Sequence, residues 1–382
     1  MISVLTSRSA CSAIAPIWNG LARQQSQLPT GIGPICQLEL TLLVKELLSP
    51  ESFLHVVISK DGKGNIAILP CFRERQRTQF VTWQKLGCVP NLYPGRAGII
   101  YDLSVPDMAD ALASAVLRDS ESWDAFSITV VANSNTELAI LEAARGQAFA
   151  YRIVSELDIP FIAFPPTWDE YIASLPKKFR YTIRSGEKLL KKLGKLEMRL
   201  YTESEQCDEF LKLAYAIERK SWKEGTGTSL TRQPIQKRFH EQLAPVAAEL
   251  GMFRGYVLLL DGEPIAHIYG LQSGDVLCDL KESFDKKYAD SSPGSVLKGL
   301  VMQELIGGTI TSWDFIGRAE FHKLRWTNNT YKQRHYVFYA GGKGRLLRWR
   351  HDLGVIMRKL HILPAPEDLF GRPGSSGAAN SG

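Results

Sequence analysis

A chain of 382 residues, 45% hydrophobic and 23% charged, is long enough for two ordinary domains and apolar enough to bury a sizeable core. That composition excludes the disordered, collagen-like and disulfide-scaffold classes. The formal charge of +6 is mild for a dedicated nucleic-acid binder, which concentrates far more positive charge, so none is expected as a partner.

The basic excess gathers in 177–199 and 343–359, which fits a local anionic partner such as a phosphate-bearing cofactor. Cys11, Cys36, Cys71, Cys88, Cys207 and Cys278 form no CxxC and read as free thiols of a reducing compartment. The seven histidines make no HxH or HxxxH pair, so no metal is expected. No apolar run reaches the roughly eighteen residues a spanning helix needs, and the start lacks a signal peptide's basic end and apolar run. The expected location is cytoplasmic, with peripheral contact with a membrane or membrane-bound synthesis machinery as its widest extension.

In chain order, residues 1–35 look weakly ordered apart from a helix at 15–24, and a second helix follows at 38–48. Strand-like runs occupy 54–59, 66–72 and 80–86, the first two joined by the turn Asp61-Gly62-Lys63-Gly64. A helix fits 108–118, a strand 125–131, a helix 136–145 and a strand 152–157. The Pro-rich stretch 160–166 reads as a boundary, because proline interrupts regular structure. Helices then fit 168–174, 179–193, 204–223 and 234–249. A hairpin follows, 253–260 and 265–273 about Asp261-Gly262, then a strand at 276–283, a helix at 294–306 and strands at 312–315 and 336–340. Residues 346–360 read as a basic amphipathic helix, and 371–382, rich in Gly, Ser, Ala and Asn with one Pro, as a disordered tail. Each half thus runs helix, antiparallel strands, helix, strand. The fold class expected is α/β (α+β), with lobes at 1–159 and 160–345, a basic helix and linker at 346–370, and the tail.

The most informative stretch lies between Tyr256 and Trp326. Ser292-Pro293-Gly294-Ser295 opens a helix: Ser292 suits the cap, Pro293 the first helical position, and Gly294 lets a ligand approach the backbone. Free amides and the helix dipole there make either an ordinary capped start or an anion site. Glu218 and Asp285 are candidate general bases, with Asp314 in reserve, because a buried carboxylate can be tuned for proton transfer. Lys281, at the end of an apolar strand, suits orienting an anion or polarising a carbonyl. In 177–195, Phe179, Ile183 and Leu190 fall on one helical face, leaving Arg180 and Arg184 for water or for an acidic acceptor. Trp222 and Trp326 suit either the core or a stacking platform.

These segments, taken together, resemble the acyltransferase domain of the GNAT superfamily found in CelD-type proteins of bacterial polysaccharide biosynthesis. The residues that carry the likeness are Glu218-Arg219-Lys220-Ser221-Trp222-Lys223-Glu224-Gly225, the hairpin return Gly262-Glu263-Pro264-Ile265-Ala266, Lys281 to Asp285, and Ser292-Pro293-Gly294. Trp313-Asp314-Phe315-Ile316-Gly317-Arg318 and Lys323-Leu324-Arg325-Trp326 complete it. Glu224 stands where that family often has Gly, and His322 where it commonly has Tyr. The likeness covers about 160–339; the first half follows only in its order of elements.

The resemblance implies two GNAT-like lobes related to the Fem peptidyltransferases, with acetyl-CoA or another acyl-CoA as co-substrate. Its pyrophosphate would contact Pro293, Gly294 and Ser295. The implied acceptor is a small molecule or glycan precursor, met by Arg180, Arg184, Trp222, Lys223, Lys323 and Trp326. An aminoacyl transferase of the Fem type and a non-catalytic component of a polysaccharide synthesis or export complex are the rival readings. The long charged helical arm of the Fem group has no counterpart in the sequence.

Overall fold

The computed structural model describes residues 1–27, 29–77, 81–88 and 96–359. The first lobe runs β1 (Ile2–Leu5), helices Arg8–Ser12, Ala15–Gln24 and Leu38–Leu48, then β2 (Phe53–Leu54), β3 (Val56–Lys60), β4 (Ile66–Leu69), β5 (Cys71–Arg77), β6 (Thr82–Cys88) and β7 (Ile100–Tyr101). Helix Asp107–Arg118, β8 (Ala125–Val131), helix Asn135–Gly146 and β9 (Ala150–Ala163) close it. The second lobe has helices Trp168–Ser174 and Lys177–Leu193, β10 (Leu196–Tyr201), and helices Cys207–Lys220, Trp222–Thr226 and Pro234–Glu249. There follow β11 (Phe253–Leu260), β12 (Glu263–Ser273), β13 (Val276–Phe284), helix Pro293–Leu305, β14 (Ser312–Asp314), the short helix Phe321–Leu324, β15 (Thr330–Tyr339) and helix Gly341–Lys359.

Local chemistry sets these boundaries. The Ser134 and Thr167 hydroxyls accept from the amides of Glu137 and Glu170 and cap two helices. Asp261 and Gly262 both adopt positive φ, 50° and 84°, in the two-residue turn that joins β11 to β12. The helix expected over 204–223 breaks at Ser221, whose hydroxyl donates to the Glu218 carbonyl and accepts from the Lys223 amide, starting a new short helix. Ser221 is thus a stop and a start at once.

The sheets bind the lobes into one body. A four-stranded sheet, β1-β3-β4-β7, lies within the first lobe. An eleven-stranded sheet, ordered β10-β11-β12-β13-β14-β9-β15-β8-β6-β5-β2, crosses both lobes. It is antiparallel except at β13–β14 and β6–β8. The proline stretch does not end a strand: β9 runs through Pro160 to Ala163. It pairs with β15 as far as Pro160 and with β14 from Phe161 onward. Pro160, which has no amide hydrogen, sits where β9 changes partner, and its carbonyl accepts from the Phe315 amide. β15 begins six residues earlier than expected, at Thr330, and lies between β9 and β8. The N-terminal strand β1 and strand β10 were not foreseen at all.

Four larger cores result. One lies under helices Asp107–Arg118 and Asn135–Gly146 (Leu112, Phe126, Phe338), and another joins Trp18, Leu42 and Ile68 within the first lobe. A third packs Phe179, Ile183, Leu190, Leu297 and Trp326 against the sheet, as the helical spacing of 177–195 requires. The fourth brings Leu40, Leu43 and Val44 of the first lobe against Phe239 and Leu243 of the second. All six cysteines are free and buried. The basic helix begins at Gly341, earlier than expected; residue 360 and the tail lie outside the described residues.

Between the lobes a charge pair is shut away from water. Arg96 Nε stands 3.2 Å from Asp314 Oδ2, both side chains 0% exposed. Tyr331 and the Ile316 amide donate to the same carboxylate, and Arg96 also donates to the carbonyls of Ser26 and Gly31. Removing one partner strands the other in a low-dielectric interior. Asp314→Asn is expected to cost about 3–5 kcal/mol in urea unfolding, and Arg96→Met a similar amount. The double variant should cost clearly less than the sum. Single costs within about 0.5 kcal/mol of zero, the range of surface changes, would refute the role.

Candidate active site

The site is built from β13 and from the turn and helix beyond it. β14 pairs with β13 only at Val276–Cys278, whereas β13 continues to Phe284. From Asp279 onward that edge has no strand neighbour among the described residues. Opposite, β12 and β13 slip register between Tyr269 and Gly270, so Leu280 is the extra residue of a bulge. Asp279 and Glu282 thereby face helix Pro293–Leu305, and Lys281 faces helix Cys207–Lys220.

Past Phe284 the chain turns over Asp285, whose carboxylate accepts from the Lys287 amide, and enters the helix opened by Ser292-Pro293-Gly294. Ser292 occupies the cap position in the left-handed region (φ 47°, ψ 52°), and its side chain makes no capping bond, contrary to expectation. Its carbonyl takes both the Ser295 and Val296 amides instead. A Cβ on Gly294 would stand 3.3 Å from the Phe284 ring, and one on Gly186 would run into the Ser291 carbonyl. The turn is thus pressed between the end of β13 and helix Lys177–Leu193.

On the helix Pro293–Leu305 side, Lys298 is buried with its ammonium 3.0 Å from Asp279 and 2.6 Å from Glu282, over the rings of Trp313 (5.4 Å) and Phe315 (4.6 Å). Burial would drive Glu282 up, but Lys298 outweighs it and the carboxyl falls to about 2. Burial pushes Asp279 up against the same partner. His322 lies 3.9 Å from Glu282, and Lys323, lowered by burial, donates to the Arg318 carbonyl. Ile316 sits at φ 42°, a costly conformation for a β-branched residue, and its amide donates to Asp314.

On the opposite side, Glu218 is 1% exposed. One of its oxygens accepts from the Leu230 amide at 2.8 Å; the other is 3.7 Å from His267 Nε2 and 3.9 Å from Lys223 Nζ. Burial opposes its ionisation, yet His267, Lys223 and Leu230 together win and bring it to about 2. Lys223 donates to the Glu282 carbonyl, tying the two sides together. Lys281 is lowered to about 8 by burial and by Lys223, against the pull of Glu218. Burial and Lys281 hold His240 well below the usual histidine range.

The sequence-derived candidates therefore separate. Glu218, Lys223 and Lys281 converge. Asp285, 3.8 Å from Lys220, and Ser292 to Ser295 lie on the turn just beyond. Lys323 joins the Lys298 group. Asp314 is the buried partner of Arg96. Trp326 is core, edge-on to Phe179 at 4.8 Å, while Trp222 is exposed. Arg180 donates to the Ala173 carbonyl and Arg184 is exposed; no hydrogen bond or ion pair among the described residues joins either to Lys281 or Lys323. His267, Asp279, Glu282 and Lys298 escaped sequence reasoning. Their only signal was polar residues on otherwise apolar runs.

The open β13 edge thus runs toward a helix N-terminus within a sheet shared by two lobes. Residues 177–333 match the family model described as an acetyltransferase (GNAT) domain. That stretch of the second lobe is thus similar to GNAT acetyltransferase domains. The fold of the whole chain is similar to the crystal structure of FemX, at 13% identity over 90% of this chain and 98% of that one, with a TM-score of 0.59. It is also similar to a conserved protein of unknown function from Bacteroides thetaiotaomicron, at 14% identity over 89% and 100%, with a TM-score of 0.55. No curated protein sequence matches the chain.

Glu218 is what keeps Lys281 from falling below about 8. Replacing it as Glu218→Gln should move the Lys281 titration lower, read by NMR of labelled lysine side chains. An unchanged or higher value would separate the two groups. In stability, Glu218 helps fully above its unfolded value near 4.5, and that help is lost as pH falls toward 2. Lys281 works in the other direction. Its cost is present below about pH 8 and is relieved as pH rises toward 10.5.

Proposed function

We propose that the protein is an acyl-CoA-dependent N-acyltransferase, acetyl-CoA being the first candidate donor. The acceptor would be an amine, or less readily a hydroxyl, of a sugar or cell-envelope precursor in the cytoplasm. One observation carries the reading: the free β13 edge from Asp279 to Phe284 leads directly to the N-terminus of helix Pro293–Leu305. Such an edge offers backbone donors and acceptors to an extended, amide-bearing chain. The helix start offers the Gly294 amide, with no side chain beside it, and the positive end of the helix dipole to a pyrophosphate. Bound acyl-CoA supplies an already activated thioester carbonyl.

The protein's own residues then have limited tasks. Glu218, at about 2, stays ionised and holds Lys223 and Lys281 in place rather than acting as base. Lys281, near 8, is the group suited to take a proton from an acceptor ammonium close to neutrality. Lys323, Arg180, Arg184 and Trp222 are assigned to the acceptor side, where arginine suits a phosphate or carboxylate. The CelD-type likeness of the motifs favours a polysaccharide precursor. Fem-type aminoacyl transfer is the second reading, favoured by the FemX likeness over 90% of the chain.

Acetyl-CoA at about 100 times its dissociation constant should stabilise the protein by about 2.7 kcal/mol in thermal unfolding. Gly294→Asp should remove that shift, since its side chain meets Phe284 and its charge repels the anion. A folded Gly294→Asp protein with unchanged CoA affinity refutes the assignment. Stabilisation by an aminoacyl-tRNA but not by acyl-CoA would favour the second reading.

Once an acceptor is in hand, kcat/KM should rise with pH to a plateau with a midpoint near 8. The neutral Lys281 amine is the active form, so activity falls as pH drops below that value. Lys281→Met should abolish this limb. A profile that keeps its midpoint in that variant assigns proton transfer elsewhere.

A further inference from the structure

The helix Gly341–Lys359 is bound to the body along one side only. Arg152 forks onto Asp352, 2.7 Å to each oxygen, and Gly344 packs so closely that a Cβ there would stand 2.5 Å from the Asp124 carbonyl. On the outward side three large apolar side chains stand in water: Leu346 at 47%, Trp349 at 62% and Leu353 at 38% exposure. Their spacing of three and seven positions places them on one stripe of about 60° at roughly 100° per residue. The same geometry puts Lys343 and Arg350 along one margin of the stripe and Arg345 along the other. All three cations are exposed, and none enters an ion pair among the described residues. Asp352, the one acidic residue of the helix, is turned inward to Arg152.

We propose that this helix seats the protein on an anionic lipid surface, with Leu346, Trp349 and Leu353 entering the headgroup boundary and the flanking cations on lipid phosphates. The match is chemical. A Leu and Trp stripe with Lys343 and Arg350 on one margin and Arg345 on the other is the composition of a helix lying in the plane of an interface. Tryptophan prefers that depth, and each nearby Lys or Arg gains from an anionic leaflet. A second copy of the chain fits less well, because two such helices packed antiparallel would bring their Lys343 and Arg350 margins together. The assignment is independent of the acyl-transfer reading, since none of these residues belongs to the β13 site.

The test uses the whole protein and large unilamellar vesicles, of phosphatidylcholine alone or with about 30 mol% phosphatidylglycerol, in a sedimentation assay. Binding should favour the anionic vesicles by about tenfold or more and weaken as salt is raised. Leu346→Glu/Trp349→Glu should lower binding to anionic vesicles by at least about tenfold, with circular dichroism and the thermal midpoint unchanged. Arg345→Glu/Arg350→Glu should erase the preference for anionic lipid. Equal binding to both vesicle types, or binding that survives the Leu346→Glu/Trp349→Glu change, overturns the proposal. So does a concentration-dependent dimer in light scattering that the same change disperses.

Discussion

The pairing of β9 with two partners in succession is the constraint on which the rest of the molecule depends. Residues Ala150 to Pro160 lie along β15, and Phe161 to Ala163 lie along β14. One strand therefore belongs to both lobes and fixes the angle between them. β14 lies between β9 and β13 and ends at Asp314, so it does not follow β13 past Cys278. The open edge beside Asp279 to Phe284 follows from that early stop. The buried Arg96–Asp314 pair sits at the end of β14 and locks the same junction electrostatically.

Around that edge the chain spends charge where a simple core would spend leucine. Lys298 is tolerated in the interior because two carboxylates and two aromatic faces surround it. Glu218 is tolerated because an amide, a histidine and a lysine answer it. The two groups lie on opposite sides of β13 and meet where Lys223 reaches the Glu282 carbonyl. Substituting one member therefore perturbs the titration of several, so a change in rate at one position does not by itself assign chemistry to that position.

Much of the fold was legible in the sequence because local rules and tertiary packing agree there. The Asp261-Gly262 hairpin, the face of 177–195 carrying Phe179, Ile183 and Leu190, and the helix started by Pro293 all follow from turn chemistry and periodicity. What escaped was non-local. Pro160 read as a boundary because its missing amide is a local fact, whereas the change of partner that makes it harmless is a tertiary one. β10 was hidden because only its final residue, Tyr201, is fully buried, which blurs any alternation. At the site, Ser292 and Gly294 were visible as motif, but the left-handed turn at Ser292 was not. Glu218 and Lys281 were visible as charges near apolar runs. His267 and Lys298 were not, since nothing in a linear pattern says which polar residue will be enclosed with which.

The position of β15 carries a consequence for how the chain acquires its form. It lies between β8 and β9, and Ser127 meets His335 across a separation of 208 positions. During synthesis the first lobe emerges with both of those strands lacking their shared neighbour, and it keeps two unsatisfied edges until the second lobe has been made. Closure of so long a loop is slow, and unpaired edges invite pairing with other chains in the interval. The first lobe thus finishes last, although it is made first. Cutting the chain before Thr330 would leave it without the strand that joins β8 to β9, however well the segment before it had folded.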